Sequence, residues 1–165
     1  MFTIKHLDKI LAEIGDKSPK SIFSYKKNPI SYKLSRIEDN RKRGHVVERL
    51  VRDIFLSQNK KVQYIGGKHS FDMMVDNCRV EIKSSLASAS VVGGMVRYSY
   101  QFQNIKTQNF DKLILVFISP EGLVMRQMSS KMADKYLANA KTYKNGKTLA
   151  IGKFCSKSVG KVLAA

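Results

Sequence analysis

The stretch "FDMMVDNCRVEIKSS" (residues 71–85) sets Asp72, Glu81 and Lys83 inside what otherwise reads as two short apolar strands. Asp76-Asn77 is a two-residue turn of the kind that favours a type I′ hairpin. With that turn the cross-strand partners follow: Val75 faces Cys78, Met73 faces Val80 and Phe71 faces Ile82. All six are apolar and share one side of the ribbon. The other side carries Asp72, Met74, Arg79, Glu81 and Lys83, with Asp72 directly opposite Glu81.

Two carboxylates at a Cβ separation of about 5 Å repel and weaken a hairpin. A divalent cation between them is the most economical compensation. Hard oxygen ligands suit Mg²⁺, or Mn²⁺ in its place, which needs few protein carboxylates and keeps several waters. Lys83 lies two residues beyond Glu81 on the same face, suited to neutralise charge, orient a water or stabilise a developing oxyanion. A surface ladder of Asp, Glu, Arg and Lys salt bridges accounts for the same pattern, and the spacing does not separate the two.

The preceding segment, "DNRKRGHVVERLVRDIFLSQ", reads as a helix from about Arg41 to Ser57 capped by Asp39 or Asn40. At 100° per residue, Val46, Val47, Leu50, Val51, Ile54 and Phe55 occupy one half of the wheel. Arg49, Arg52 and Asp53 lie on the far side. Glu48 falls at the border, where it can reach a site on the sheet that the helix covers, directly or through a water. Its alternative is an (i, i+4) pair with Arg52.

The rest of the chain bounds the setting. Its 165 residues are 43% hydrophobic, enough for one domain with a real core. Lys and Arg number 30 against 13 acids, a formal charge of +17 with a pI near 10.0, which implies a polyanionic partner: nucleic acid first, an anionic membrane surface second. A small basic structural protein shares that balance. The longest aliphatic and aromatic run, "LILVFI" (113–118), is too short to span a bilayer, and "MFTIKHLDKI" lacks the apolar centre of a signal peptide. Cys78 and Cys155 show no framework spacing, which points to a reducing, intracellular, cytoplasmic compartment.

Helical spacing is predicted over 6–15 and from "SSKMADKYLANAK", the latter with a stripe of Met132, Ala133, Tyr136, Leu137 and Ala140. Residues 16–35, with two prolines and five serines, read as an irregular arm or short edge element. "KVQYI" (61–65), "FDMMV", "CRVEIK" and "DKLILVFIS" (111–119) read as strands. "SSLASASVVGG" reads as a loop or strand end, "VRYSYQFQNIK" as strand or helix, and "NG" (145–146) as a hairpin turn. From Gly122 onward there are nine basic residues and one acid, Asp134, either a phosphate-facing surface or a merely solvated one.

Asp72 followed by Glu81-Ile82-Lys83, after a helix carrying Glu48, resembles the PD-(D/E)xK nuclease superfamily, the restriction-endonuclease-like fold. "RKRGHVVERLVRDIF" is similar to the first helix of Holliday-junction resolvases and related enzymes. "YQFQNIKTQNFDKLILVFISPEG" is similar to the segment after the catalytic lysine in restriction-type members. The resemblance covers residues 41–128. Phe71 stands where the motif has proline.

The resemblance implies an α/β fold with a central mixed sheet flanked by helices, in a single domain spanning 1–165. Its catalytic core is 41–128, with an N-terminal arm (1–40) and a basic C-terminal region (129–165) as DNA-contacting or oligomerising additions. It implies that Asp72 and Glu81, with the Ile82 carbonyl, ligate Mg²⁺; that Lys83 positions or deprotonates the attacking water; that Glu48 supports a metal through water; and that Gln103 is an accessory polar group. The expected activity is Mg²⁺-dependent, site-specific DNA cleavage of restriction or homing type. A structure-specific resolvase is the alternative within the fold, and a non-catalytic nucleic-acid-binding protein the alternative outside it. Cutting both strands of a duplex needs two sites, hence a symmetric dimer or tetramer.

Other signals are weaker. "GGKHS" (66–70) lacks the upstream glycine of a phosphate loop. It reads as a turn whose Lys68 and His69 touch DNA, with Arg97, Lys144 and Lys147 as further contacts. His6, His45 and His69 do not cluster with either cysteine, so no zinc site is indicated. Asp111 reads as a strand-start cap, and Tyr98, Tyr100 and Phe102 as core or sheet surface.

Overall fold

The type I′ turn sits where the sequence places it: Asp76 and Asn77 both adopt positive φ, 47° and 66°. In the computed structural model this turn joins β2 (Met73–Val75) to β3 (Cys78–Leu86), with Met73 opposite Val80 and Val75 opposite Cys78. The structure describes residues 28–65, 69–92, 95–120, 122–138, 140, 142–143 and 146–154. The helix predicted over 6–15 therefore lies outside the described residues.

Chain order then runs α1 (Pro29–Ser35), α2 (Asn40–Ser57), β1 (Val62–Tyr64), β2, β3, β4 (Ser88–Val92), β5 (Met95–Ile105), a 3₁₀ turn (Thr107–Asn109), β6 (Lys112–Ser119), β7 (Gly122–Ser129), α3 (Ser130–Leu137), β8 (Thr142–Tyr143) and β9 (Gly146–Phe154). The strands make a five-stranded sheet, β1-β2-β3-β6-β7, and a four-stranded sheet, β4-β5-β9-β8. In the first, β3 and β6 are parallel and the other pairs antiparallel. The second is antiparallel throughout. The chain is thus a mixed α/β protein whose central sheet is mostly antiparallel and flanked by helices.

Strand β6 divides the core. Residues Leu113 to Ile118 are all buried, as expected of a strand covered on both faces. On one face Ile114, Val116 and Ile118 join Met73, Val75, Val80 and Ile82 under Val46, Val47 and Val51 of α2 and Leu34 of α1. On the other, Leu113, Leu115 and Phe117 pack against Tyr100 and Phe102 of the second sheet and Ala133 and Leu137 of α3. The Tyr100 and Phe102 rings both meet Phe117 edge-on, with centroids 5.0 Å away.

Several expectations are corrected here. Residues 29–35 are helical rather than an irregular arm: Asn28 accepts the Ser31 amide at 3.0 Å and Pro29 opens the first turn, the N-cap and N1 pairing that starts helices. "VRYSYQFQNIK", left open between strand and helix, is strand as far as Ile105 in β5, and the small-residue segment, read as a loop or strand end, continues β3 to Leu86 and forms β4. On α3 the predicted stripe is half realised, since Ala133 and Leu137 are buried while Met132 and Tyr136 are exposed.

α2 begins at Asn40 with Asp39 as its cap, the Asp39 carboxylate accepting the Arg41 and Lys42 amides. Near the end of β5, Asn104 takes φ 59° where the register with β9 slips. Gly146 (φ +130°) fits against that irregularity: a Cβ there would lie 3.0 Å from the Asn104 and Ile105 backbone. Among the described residues no helix is long and apolar enough to cross a membrane.

Candidate active site

The β2–β3 ladder ends early. β2 pairs with Cys78–Val80 alone, while β3 runs on to Leu86 with β6 along its other edge. From Glu81 onward, then, β3 has an edge that β2 does not cover. Asp72 stands at this step. Its amide donates to the Val80 carbonyl at 3.0 Å, its carbonyl accepts from Ile65, and its carboxylate Oδ2 accepts the Ile82 amide at 2.7 Å.

The expected ladder position of Asp72 directly opposite Glu81 is therefore not formed. The side chain of Asp72 substitutes for the missing strand. Phe71 confirms the break, since it packs with the Leu113–Phe117 face while Met73 and Val75 lie on the α2 face. Strict alternation would keep all three together.

The cations are distributed around this step in a particular way. Arg79 turns away to Asp111: its backbone amide and Nε reach Asp111 Oδ2 at 2.8 and 3.2 Å, and Nη2 reaches Oδ1 at 2.8 Å. Asp111, read from the sequence as a strand-start cap, is thus an ion-pair partner as well. The Lys83 ammonium contacts the Glu81 carboxylate on the same strand. Among the described residues, no salt bridge reaches Asp72. Burial, and after it the charges of Glu81 and Glu48, push Asp72 from 3.8 up to about 7, against the lowering effects of the Ile82 amide and Lys83. Glu81 is also raised, by burial first and by Glu48 in addition, although Lys83 opposes the shift.

Glu48 comes from α2, at the border of its buried stripe. It does not pair with Arg52, which binds Asp53 instead. Its Oε2 accepts the Tyr64 hydroxyl at 2.8 Å and lies 3.3 Å from His45 Nδ1. Tyr64, on β1 opposite Met73, was not singled out by sequence. Burial and the bond to Glu48 push its phenol up to about 12, so it stays a donor at neutral pH. Periodicity carries no signal for it; in the fold the Ile65 amide, just after β1, binds the Asp72 carbonyl and brings Tyr64 to the same corner.

Asp72, Glu81, Lys83 and Glu48 thus meet at one sheet edge, beside a recess of about 210 Å³ that Glu48, Ile82 and Lys83 help to line. Gln103 is exposed on β5, and no hydrogen bond joins it to this group. Of the proposed DNA contacts, His69 is exposed, and Lys147 donates to the Leu137 carbonyl at 3.2 Å, at the C-terminal end of α3. Lys68 and Lys144 lie outside the described residues, as does the side chain of Arg97.

The donor chemistry suits a hard cation that keeps its waters. Asp72 and Glu81 are carboxylates held at raised pKa by burial, and the Ile82 carbonyl shares the open edge with its amide, because both groups of a strand residue point to one neighbour. Among the described residues no three His, Cys, Asp or Glu side chains lie close enough to cage an ion by themselves. The fit is to an ion held by two carboxylates and water.

No family model matches the chain, and no curated protein matches it. Among solved structures it is similar to a bacterial homing endonuclease, I-Ssp6803I, with a TM-score of 0.47 and 14% sequence identity, over 72% of this chain and 79% of that one. A likeness at that level establishes no shared activity.

Proposed function

We propose that the chain is a Mg²⁺-dependent DNA endonuclease of the PD-(D/E)xK kind, site-specific and of restriction or homing type. The observation that carries this reading is Asp72: a largely buried carboxylate set beside two others at a strand edge that β2 leaves uncovered, with no salt bridge of its own among the described residues. Asp72, Glu81 and the Ile82 carbonyl would hold Mg²⁺, or Mn²⁺ in its place. When bound, the ion supplies charge neutralisation at the scissile phosphate and acidifies a water.

The chain's own groups supply the rest. Lys83, already drawn to Glu81, presents its ammonium toward the recess, where it orients a water and offsets charge developing on the phosphate. Glu48 is held by Tyr64 and His45 and offers its remaining oxygen to a water. The charge of +17 favours duplex DNA as the partner and steers its approach. Cutting two strands calls for a homodimer or homotetramer, acting in an intracellular compartment that holds DNA.

The test is incubation of the purified chain with supercoiled, linear and four-way-junction DNA, with and without Mg²⁺, followed by mapping of the ends. Cleavage that needs Mg²⁺ and is abolished in Asp72→Asn and Lys83→Ala, with DNA affinity retained, is the expected result. Salt-sensitive binding without scission, unaffected by Glu81→Ala, would leave a non-catalytic binding protein. Much faster cutting of the junction than of linear duplex would replace a site-specific enzyme with a resolvase.

A further inference from the structure

Gly44 lies four residues into α2, an eighteen-residue helix. Glycine inside a helix costs stability relative to alanine. Packing among the described residues gives no reason for it: beyond its own helix, a Cβ at Gly44 would meet none of them within 4 Å. What Gly44 does border is the recess beside the carboxylates. Asn40, Arg41 and Glu48 of α2 form one wall, and Lys83 and Ser84 of β3 form the other.

The recess has the chemistry of a phosphodiester contact. The guanidinium of Arg41 is exposed and makes no ion pair among the described residues. The Asn40 side-chain Oδ1 accepts from Arg43, which leaves the Nδ2 hydrogens to donate. Arginine and amide donors suit phosphate oxygens. At about 210 Å³ the space is smaller than pockets that enclose drug-sized molecules, and it opens directly onto Lys83.

We infer that the recess takes the DNA backbone next to the cleaved bond. The strand crosses α2 over the bare backbone of Gly44, one phosphate lies between Asn40 and Arg41, and its neighbour is thereby delivered to Lys83, Glu81 and Asp72. This rests on the nuclease reading of the same site. A side chain at position 44 would stand in the path of the strand, which accounts for a glycine that the helix itself does not require.

The experiment compares Gly44→Ala, Gly44→Leu and Arg41→Ala with the wild-type chain. Alanine and leucine favour helix and meet open space, so both Gly44 variants should melt about 2–4 °C higher than wild type. Affinity for a short duplex is read by fluorescence anisotropy in EDTA across a range of salt. Gly44→Leu should bind at least about tenfold more weakly, one unit in log affinity, with Gly44→Ala between it and wild type. Arg41→Ala should reduce the slope of log affinity against log salt by about 0.9.

A folded Gly44→Leu variant with wild-type affinity overturns the inference, as does an unchanged salt slope in Arg41→Ala. If wild type fails to cut with Mg²⁺ while these variants still lose affinity, the cleavage reading fails and the backbone contact stands. If wild type cuts and Gly44→Leu binds and cuts equally well, the recess proposal alone fails.

Discussion

Replacing Asp72 with asparagine should make the metal-free protein more stable at alkaline pH while removing the cleavage proposed for it. The carboxylate is held near the open edge of β3 by burial and by the fields of Glu81 and Glu48, which raise it from 3.8 to about 7. In the unfolded chain it ionises near its ordinary value. Between about pH 4 and pH 7 the folded state therefore holds a proton that the unfolded state has lost, so stability falls as pH rises through that window. Over about three pH units, at 1.36 kcal/mol each, the loss amounts to about 4 kcal/mol and is complete above pH 7.

Asparagine removes the charge and keeps an oxygen for the Ile82 amide, so no buried donor is orphaned. Urea unfolding in EDTA should show Asp72→Asn more stable by about 2–4 kcal/mol near pH 8, with the gain vanishing near pH 4. Adding Mg²⁺ should raise the stability of wild type by preferential binding to the folded state and leave the variant unchanged. A variant that is less stable near pH 8, or whose advantage is the same at all pH, would refute the assignment of an electrostatically strained carboxylate.

Two further outcomes follow from the contacts around the edge. Tyr64→Phe removes the 2.8 Å bond to Glu48; it should cost under about 1 kcal/mol in urea unfolding yet raise the Mg²⁺ concentration for half-maximal cleavage about tenfold. Gly146→Ala sets a Cβ 3.0 Å from the β5 backbone at φ +130° and should lower stability by about 2 kcal/mol or more in the same assay.

Local rules made much of this architecture legible. The type I′ turn fixes Met73 against Val80 and Val75 against Cys78, and the 3.6-residue period places Val46, Val47, Leu50 and Val51 in the core. Asp72 escaped those rules, because its departure from the ladder depends on one partner before the hairpin, Ile65, and on a side-chain bond to the Ile82 backbone that strand register does not set. Ile65 binds its carbonyl from one side and Ile82 binds its carboxylate from the other. Strand period alone put Phe71 on the wrong core for the same reason. The short helix at 29–35 was legible in Asn28-Pro29 but hidden by the surrounding serines and prolines. The role of Tyr64 needed tertiary contact between β1 and α2, which no periodicity carries.

The distribution of charge bears on the two explanations that the hairpin pattern left open. A salt-bridge ladder stabilises ionised acids, and Asp39, Asp76 and Asp111 behave that way: amide or cationic partners hold each below its ordinary value. Asp72 and Glu81 move in the opposite direction. This happens in a chain with 30 basic side chains against 13 acids, where a cation is easily supplied, and Arg79 leaves the Asp72 corner to pair with Asp111. On the metal-site reading proposed above, an acid that no cation among the described residues pairs is left for a charge that arrives from outside. Two carboxylates and an edge carbonyl describe the hard, hydrated kind of cation that charge would be.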